Sequence, residues 1–371
     1  MSRPSNEKQI KVCLVAISLA GGGAERSTAL LSKMLINKGY EVHIAIVKNN
    51  IDYDFNGTLY VLGENKKRSY ITKLLSIIKF RNYLKKHQFD FIIDNRTRPN
   101  AFKENIYSHF IYQNHKIIYV VRSYHLQQYF PSKKPAALNM VKKAHRFIGV
   151  SKAISERINS QYSTNKSMHI YNPVILDDFQ KRAEEKIPQI EALKIRYIIA
   201  MGRLDEKVKN YTLLLKSYHQ SKLVNHQVSL KIIGKGPDKN IINQTIKKFS
   251  LEKYVEIIPF SKNPFPWLKN ALFTVLTSQY EGFPRVLIES LAVGTPVISV
   301  NCKSGPSEII HNNKNGILVE NKNHEKLADA MNKLLLDDKF YNQLKQNTKD
   351  SVKHLDIEEI SKQWDKLLKD E

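Results

Sequence analysis

The stretch KVCLVAISLAGGGAERSTALLSKMLINKGYEVHIAIV, residues 11–47, restricts the possible folds more than any other part of the chain. Its first seven residues are apolar after the lysine, which suits a strand buried on both faces. Three glycines follow, and then a helical period puts Leu30, Leu31, Met34 and Leu35 on one face. Gly39 marks the end of that helix, and YEVHIAIV reads as a second strand. Strand, glycine loop, helix and strand in this order open a doubly wound parallel sheet. FDFIID (89–94), KIIYVV (116–121) and RFIGVS (146–151) are further strand candidates. Between them, YITKLLSIIKFRNYLKKH (70–87) has apolar residues at 71, 74, 75 and 78 and a cationic opposite side.

A second pattern of the same kind begins near residue 194. IRYIIAMGRLD, SLKIIGKGP, VEIIPF, ALFTVLTS, TPVISV and GILVE read as strands separated by helical stretches. The expected organisation is therefore α/β, with two doubly wound domains. Residues 1–175 form the first, 176–193 a polar linker without a clean period, and 194–352 the second. Residues 353–371 form a terminal helix whose stripe Ile357, Ile360, Trp364, Leu367 and Leu368 packs back on the first domain.

At 371 residues the chain is long enough for two cores. No run of eighteen apolar residues exists, and MSRPSNEKQI is polar where a signal peptide needs an apolar stretch. Cys13 and Cys302 stand alone, which fits a reduced cytoplasm and offers no metal motif. The formal charge is +24, and its distribution is uneven. Residues 1–175 hold 28 Lys and Arg against 10 Asp and Glu, and the remainder holds 31 against 25. The first half thus carries +18, a face for an anionic membrane, an anionic polymer or a phosphorylated substrate, or simply a solubilising surface. Peripheral attachment to the inner face of the cytoplasmic membrane, without an inserted span, is the expectation.

The chemistry concentrates in SQYEGFPRVLIESLAVGTPVISV (278–300), where Glu281 and Glu289 flank a Gly-Phe-Pro turn. Pro284 suits the first turn of a helix and Gly294 the position after its last, so a helix over 284–293 is predicted. Its N-terminus attracts phosphate, and Glu289 lies about 7.5 Å along the axis from Pro284. One carboxylate beyond the phosphate site and one along the helix flank match an elongated nucleoside-diphosphate sugar, because carboxylates accept from vicinal hydroxyls. The plainer reading makes Glu281 a loop charge and Glu289 a solvated residue. The apolar positions 286–288 and 291–293 oppose it, since a buried carboxylate without a partner is expensive.

This segment resembles the Glu-x7-Glu signature of retaining glycosyltransferases of family 4, which have the GT-B fold of two Rossmann-like domains facing across a cleft. AMGRLDEKVKNYTLLLKSY resembles that family's Gly-Arg-Leu and Lys-Asn element, IIGKGP its following turn, and ISLAGGGAERSTALLSKML its glycine loop. The resemblance implies a nucleotide-sugar donor, UDP-linked, and a glycan or lipid-linked glycan acceptor of bacterial surface polysaccharide. It gives Glu281 the donor-sugar hydroxyls, Glu289 the ribose, and Arg203 and Lys209 the diphosphate. Lys207 competes for that last role, because one extra residue separates Arg203 from Lys209. Main-chain amides from Phe283 through Pro284 and Arg285 to Val286 would meet the sugar and phosphates. Arg285 is either an additional phosphate ligand or a surface charge.

Gly22 and Gly23 alone form a weak motif, but after a buried strand they belong to a loop that borders the ligand. His125 follows a strand's carboxyl end, where ligands of open sheets bind, and stands near the reacting sugar or else on the surface. Asp52-Tyr-Asp54 imitates a metal-binding Asp-x-Asp without any supporting pattern. The donor is a co-substrate, and no cofactor or metal is expected. A nucleotide-sugar epimerase or phosphorylase of the same fold is the enzymatic alternative. A nucleic-acid-binding protein is the other, and no recognised nucleic-acid motif supports it.

Overall fold

The computed structural model of the protein describes residues 9–63, 70–187 and 196–370. The chain divides into two compact units, residues 1–173 with 357–371, and residues 174–356. The first is built on a seven-stranded parallel sheet of order β3-β2-β1-β4-β5-β6-β7. Its strands are β1 (Lys11–Ala16), β2 (Glu41–Ile46), β3 (Thr58–Val61), β4 (Phe91–Asp94), β5 (Lys116–Val121), β6 (Arg146–Gly149) and β7 (Ser167–His169). Val12, Cys13, Leu14 and Val15 are wholly buried, as a strand covered by helices on both faces requires. Helix α1 (Gly23–Asn37) returns over the sheet and stops at Gly39, which is left-handed at φ 86° and donates its N–H to Ile36.

β3 and β7 escape the sequence reading. They are edge strands of three or four residues, TLYV and SMH, too short to carry a period. Helix α2 (Tyr70–His87) spans the stretch singled out in the sequence, but the apolar residues noted there are not the ones it buries. Phe80 and Leu84 are buried, and Tyr60 of β3 stacks on Phe80 and Tyr83. Ile71, Leu74, Leu75 and Ile78 point outward. The aromatic face is the larger and outcompetes the aliphatic one for the sheet.

The second unit holds a six-stranded parallel sheet of order β10-β9-β8-β11-β12-β13. The strands are β8 (Tyr197–Met201), β9 (Ser229–Ile233), β10 (Val255–Ile258), β11 (Thr274–Leu276), β12 (Val297–Val300) and β13 (Gly316–Val319). Ile198, Leu214, Leu230, Phe273, Ile298 and Met331 join in its core.

Part of the expected linker, 176–193, is structured. Leu176–Ala183 is a helix that buries Leu176, Phe179 and Ala183, a spacing of three and four residues hidden among charges. Phe179 stacks on Phe265 inside the second unit, with ring centroids 4.5 Å apart. Residues 188–195 lie outside the described residues. The helix Ile357–Asp370 buries Ile360, Trp364, Leu367 and Leu368 and packs on α1, where Tyr40 donates its hydroxyl proton to Asp365 at 2.8 Å.

Candidate functional site

In the second sheet the strand order reverses between β8 and β11, the place where open α/β sheets bind ligands. The Gly-Arg-Leu loop after β8 lies across the turn after β9. Leu204 donates its N–H to Lys235 at 3.0 Å, and Asp238 donates to the Leu204 carbonyl at 3.1 Å. A Cβ on Gly236 would stand 2.3 Å from that carbonyl oxygen, so the second glycine of IIGKGP is demanded by close approach.

The short helix Glu206–Lys209 ends at Asn210, which is left-handed at φ 52° and whose side chain caps the helix Tyr211–Gln220. The Glu206 carboxylate also accepts from the Tyr211 and Thr212 N–H groups, at 2.9 and 3.0 Å. Two bonds then tie this turn to the segment following β11. Thr277 donates its hydroxyl to the Lys209 carbonyl, and Gln279 its N–H to the Val208 carbonyl, both at 2.8 Å. Lys209 Nζ is thereby set 2.6 Å from Glu281 Oε1, with side chains 19% and 13% exposed. Gly202 leaves the lysine its path, since a Cβ there would be 3.2 Å from Lys209 Cε.

The Glu281–Pro284 turn is held from the other side by the loop after β12. Ser304 donates to the Gly282 carbonyl at 2.7 Å, and Glu281 donates its N–H to Lys303 at 3.3 Å. The helix Arg285–Ala292 begins after Pro284 with no side-chain cap, and Gly294 follows it at φ 91°. Glu289 is 8% exposed, and its Oε1 lies 3.6 Å from Arg285 Nε one turn earlier. Glu289 is therefore buried but partnered, which removes the desolvation objection to a structural carboxylate. Arg285 is 13% exposed, so its reading as a surface charge is corrected. Phe283, Pro284 and Val286 bury their side chains, which leaves the main chain as what this turn offers a donor.

Arg203 is not drawn into either pair. Its side chain is 70% exposed, and its ion-pair partner is Asp205 at 3.9 Å. Lys207 is exposed as well. Burial, reinforced by Glu281, pushes the Cys302 thiol up to about 12, so this cysteine is no nucleophile at neutral pH.

Comparison with known proteins bears on the fold and the activity. Residues 21–178 match the model described as Glycosyltransferase Family 4, and 181–351 match that described as Glycosyl transferases group 1. The chain is 28% identical over 381 residues to N-acetylgalactosamine-N,N'-diacetylbacillosaminyl-diphospho-undecaprenol 4-alpha-N-acetylgalactosaminyltransferase of Campylobacter jejuni. That alignment covers 96% of this chain and 99% of the relative. Among solved structures, Anabaena HepE in complex with UDP superposes with a TM-score of 0.77 at 18% identity, over 98% of this chain and 100% of that one. A Staphylococcus aureus TarM mutant in complex with fondaparinux, alpha-GlcNAc-glycerol and UDP superposes at 0.73 and 16% identity, over 98% and 100%. The chain is a glycosyltransferase of the GT-B fold.

The first unit of this glycosyltransferase also reverses its strand order, between β1 and β4. The glycine loop follows β1, and Gly21, at φ 91°, donates its N–H to Asp52 Oδ2 at 3.1 Å. The first acid of Asp-Tyr-Asp thus secures the glycine loop. Gly22 is the extended residue before α1 and Gly23 its first member, with no side-chain cap. A Cβ on Gly22 would meet Glu25 Oε2 at 2.6 Å, so that carboxylate lies over the loop. His125 is half-buried after β5, its N–H on Ser123 Oγ at 3.1 Å, and opens the 3₁₀ turn Leu126–Gln128.

The sequence reading missed a buried ionic network at the end of β4. Asp94 is wholly buried and accepts from Arg96 Nη2 at 2.6 Å and from the Tyr112 hydroxyl at 2.9 Å. Burial raises its pKa, but Arg96 and Arg98 outweigh burial and hold it below the ordinary carboxylate value. Glu104 lies 3.2 Å from Arg96 and is pushed up by its own burial. Arg98 donates to the carbonyls of Asp94, Arg96, Val120 and Tyr129, and its N–H holds Gln128, so it hangs the His125 turn from β4. The signal was Asp-Asn-Arg-Thr-Arg directly after an apolar strand.

Among the described residues, Glu41, His43 and His87 form one group with metal-ligating atoms within 4.8 Å of one another. The His43 ring is already engaged on both nitrogens, by the Tyr83 hydroxyl at 2.5 Å and by Glu41 at 3.2 Å, and Lys11 pairs with Glu41 at 3.1 Å. Burial lowers the His43 pKa from 6.5; Glu41 opposes the shift, and His87 and Lys11 add to it. The fold therefore favours neutral His43, and the unfolded chain takes up its proton first as pH falls. The stability this supplies is full above about 6.5 and is lost as pH drops from there through the folded value. The urea midpoint should decline between pH 7.5 and pH 5.5, and decline less in His43→Phe; equal declines would show that His43 is not responsible.

Proposed function

We propose that the protein is a retaining, metal-independent hexosyl- or N-acetylhexosaminyltransferase that moves a sugar from UDP to a hydroxyl of a lipid-linked glycan in bacterial surface polysaccharide synthesis. The observation that carries this reading is the Lys209–Glu281 pair beside the uncapped start of Arg285–Ala292. An ammonium has three donors, so Lys209 keeps two for diphosphate oxygens while one steadies Glu281. Glu281 keeps its second oxygen for sugar hydroxyls, and Glu289, braced by Arg285, takes the ribose diol. Arg203, exposed and long, adds its charge when the donor arrives.

The bond from the anomeric carbon to the β-phosphate oxygen breaks, and the acceptor oxygen bonds that carbon on the same face. The acceptor proton passes to a departing phosphate oxygen, so the step balances without a protein base. Lys209, Arg203 and the helix start stabilise the growing negative charge on UDP. The relative named for a diphospho-undecaprenol substrate and the neighbours solved with UDP support the choice of substrates.

The two glutamates separate the roles. Glu289→Gln should weaken binding of free UDP about tenfold or more, whereas Glu281→Gln should leave UDP affinity intact and abolish most turnover. Calorimetric titration decides this, and equal losses of UDP affinity would sink the assignment.

A further inference from the structure

Two short-range spacings converge at the amino edge of the first sheet. Glu41 and His43 are two residues apart on β2, so both side chains leave the same face of the strand. Tyr83 and His87 are four apart on α2, so they share one face of that helix. The two faces meet. The His43 and His87 rings lie 4.7 Å apart by centroid, and Tyr83 and Phe89 wall the same space at 5.8 and 5.0 Å from the His43 ring. One ligating atom from each of Glu41, His43 and His87 falls within 4.8 Å of the other two. We propose that these three side chains bind a divalent transition ion of the zinc type, which clips β2 to the end of α2.

Geometry and donor set select the ion. Two ligand atoms on one tetrahedral zinc, each bonded at about 2.0–2.1 Å, stand about 3.3–3.4 Å from each other. Glu41 Oε1 and His43 Nε2 are 3.2 Å apart, close to that requirement. His87 is the last residue of α2, and rotation of its side chain brings in a ring nitrogen as the third ligand. Water completes the set. Two imidazoles and one carboxylate suit zinc, cobalt or nickel rather than magnesium or calcium, which take oxygen ligands.

The contacts that occupy His43 become the support of the ion. An ionised Glu41 only accepts, so the ring proton sits on Nε2 and the Tyr83 hydroxyl donates to Nδ1 at 2.5 Å. On binding, the ring proton moves to Nδ1 and is donated to the Tyr83 oxygen, while the Nε2 lone pair turns to the metal. The ring stays neutral and no proton is lost. Lys11 pairs with Glu41 Oε2 at 3.1 Å, which leaves Oε1 for the ion. At 34% exposure the lysine side chain can withdraw into solvent, so its charge weakens the site without blocking it.

The place of the site in the fold makes it structural. Lys11 and Glu41 pair in register as the first residues of β1 and β2, and β4 begins shortly after His87. The glycine loop leaves the other end of β1. The clip therefore sits at the opposite edge of the sheet from that loop, takes no part in sugar transfer and is independent of the donor assignment above.

The test is calorimetric titration of the full, untagged, chelator-treated chain with zinc chloride. The wild type should bind one zinc per chain, and its thermal midpoint should rise with zinc but not with magnesium. Cobalt(II) should show the visible bands of a four-coordinate centre. Glu41→Gln and His87→Gln should each lose about tenfold or more in zinc affinity, and Tyr83→Phe, which removes only the outer bond, should lose less. Lys11→Gln should bind zinc more tightly, because a competing cation is gone. Thermal midpoints in chelator identify a variant that has lost its fold instead of a ligand, and the Lys11→Gln gain and the cobalt spectrum then decide. His226→Gln, which alters an exposed histidine of the second unit, should bind as the wild type does. Absence of saturable zinc binding overturns the proposal. So does binding that Glu41→Gln and His87→Gln leave unchanged, which would mark an adventitious ion on others of the twelve histidines.

Discussion

Lys209→Ala should lower turnover by roughly a hundredfold or more. A charge-assisted contact to a departing oxyanion is worth about 2.7–4 kcal/mol in a site that excludes water, and each 1.36 kcal/mol is about tenfold in rate. The geometry adds a second loss, because Glu281 forfeits the cation 2.6 Å away that fixes its rotamer. Lys207→Ala should change turnover little, since it is Lys209, not Lys207, that is set against Glu281. Lys209 and Glu281 touch, so the double variant Lys209→Ala/Glu281→Gln should be far less damaged than the two single losses combined. Additive losses would mean that the pair does not act as a unit. Activity should also persist in excess chelator. Loss of turnover with EDTA, restored by a divalent ion, would place the charge stabilisation on a metal instead of Lys209 and Arg203.

The fold was legible because the buried strands are continuous apolar runs, the first of them leading into a glycine loop and a helix. KIIYVV is β5 residue for residue, and the helix predicted over 284–293 is Arg285–Ala292. What escaped is what a one-dimensional pattern cannot rank. In α2 both faces are apolar, and only the sheet decides that Phe80 and Leu84 beat Ile71 and Leu75. The helix Leu176–Ala183 hides three core residues among charges, so composition makes it look like a linker. At the site, residue types and spacing bring out Glu281 and Glu289, because few other reasons put carboxylates around a glycine turn, whereas Lys209 was reached through the family resemblance, in competition with Lys207. Pairing was not legible. That Lys209 holds Glu281 and Arg285 holds Glu289 depends on Thr277, Gln279 and Ser304, which carry no signature in the chain. Asp94 was read only as the last residue of a strand, although it anchors the network beneath the His125 turn.

Removing that anchor should be the most destabilising single change in the first unit. Asp94→Ala removes the carboxylate shared by Arg96 and Arg98, each 1% exposed, and leaves Glu104 beside Arg96 as the counter-charge for two guanidinium groups in the interior. Breaking a buried ion pair by deleting one partner costs about 3–5 kcal/mol, because the remaining charge stays desolvated. In a unit of this size that corresponds to a fall of roughly 10 °C in the thermal midpoint. The two tryptophans make the effect local: Trp364 is buried in the first unit and Trp267 in the second. In a Trp267→Phe background, Trp364 emission should report early unfolding of Asp94→Ala. A Lys152→Ala variant, from an exposed pair with Glu156 at 3.9 Å, should match the parent. Arg98→Lys should act more gently on stability but raise the acceptor KM, because a lysine cannot reach the four carbonyls that carry the turn holding His125. If Asp94→Ala unfolds no earlier than Lys152→Ala, the network contributes nothing to stability and its arginines must be neutralised by something other than Asp94.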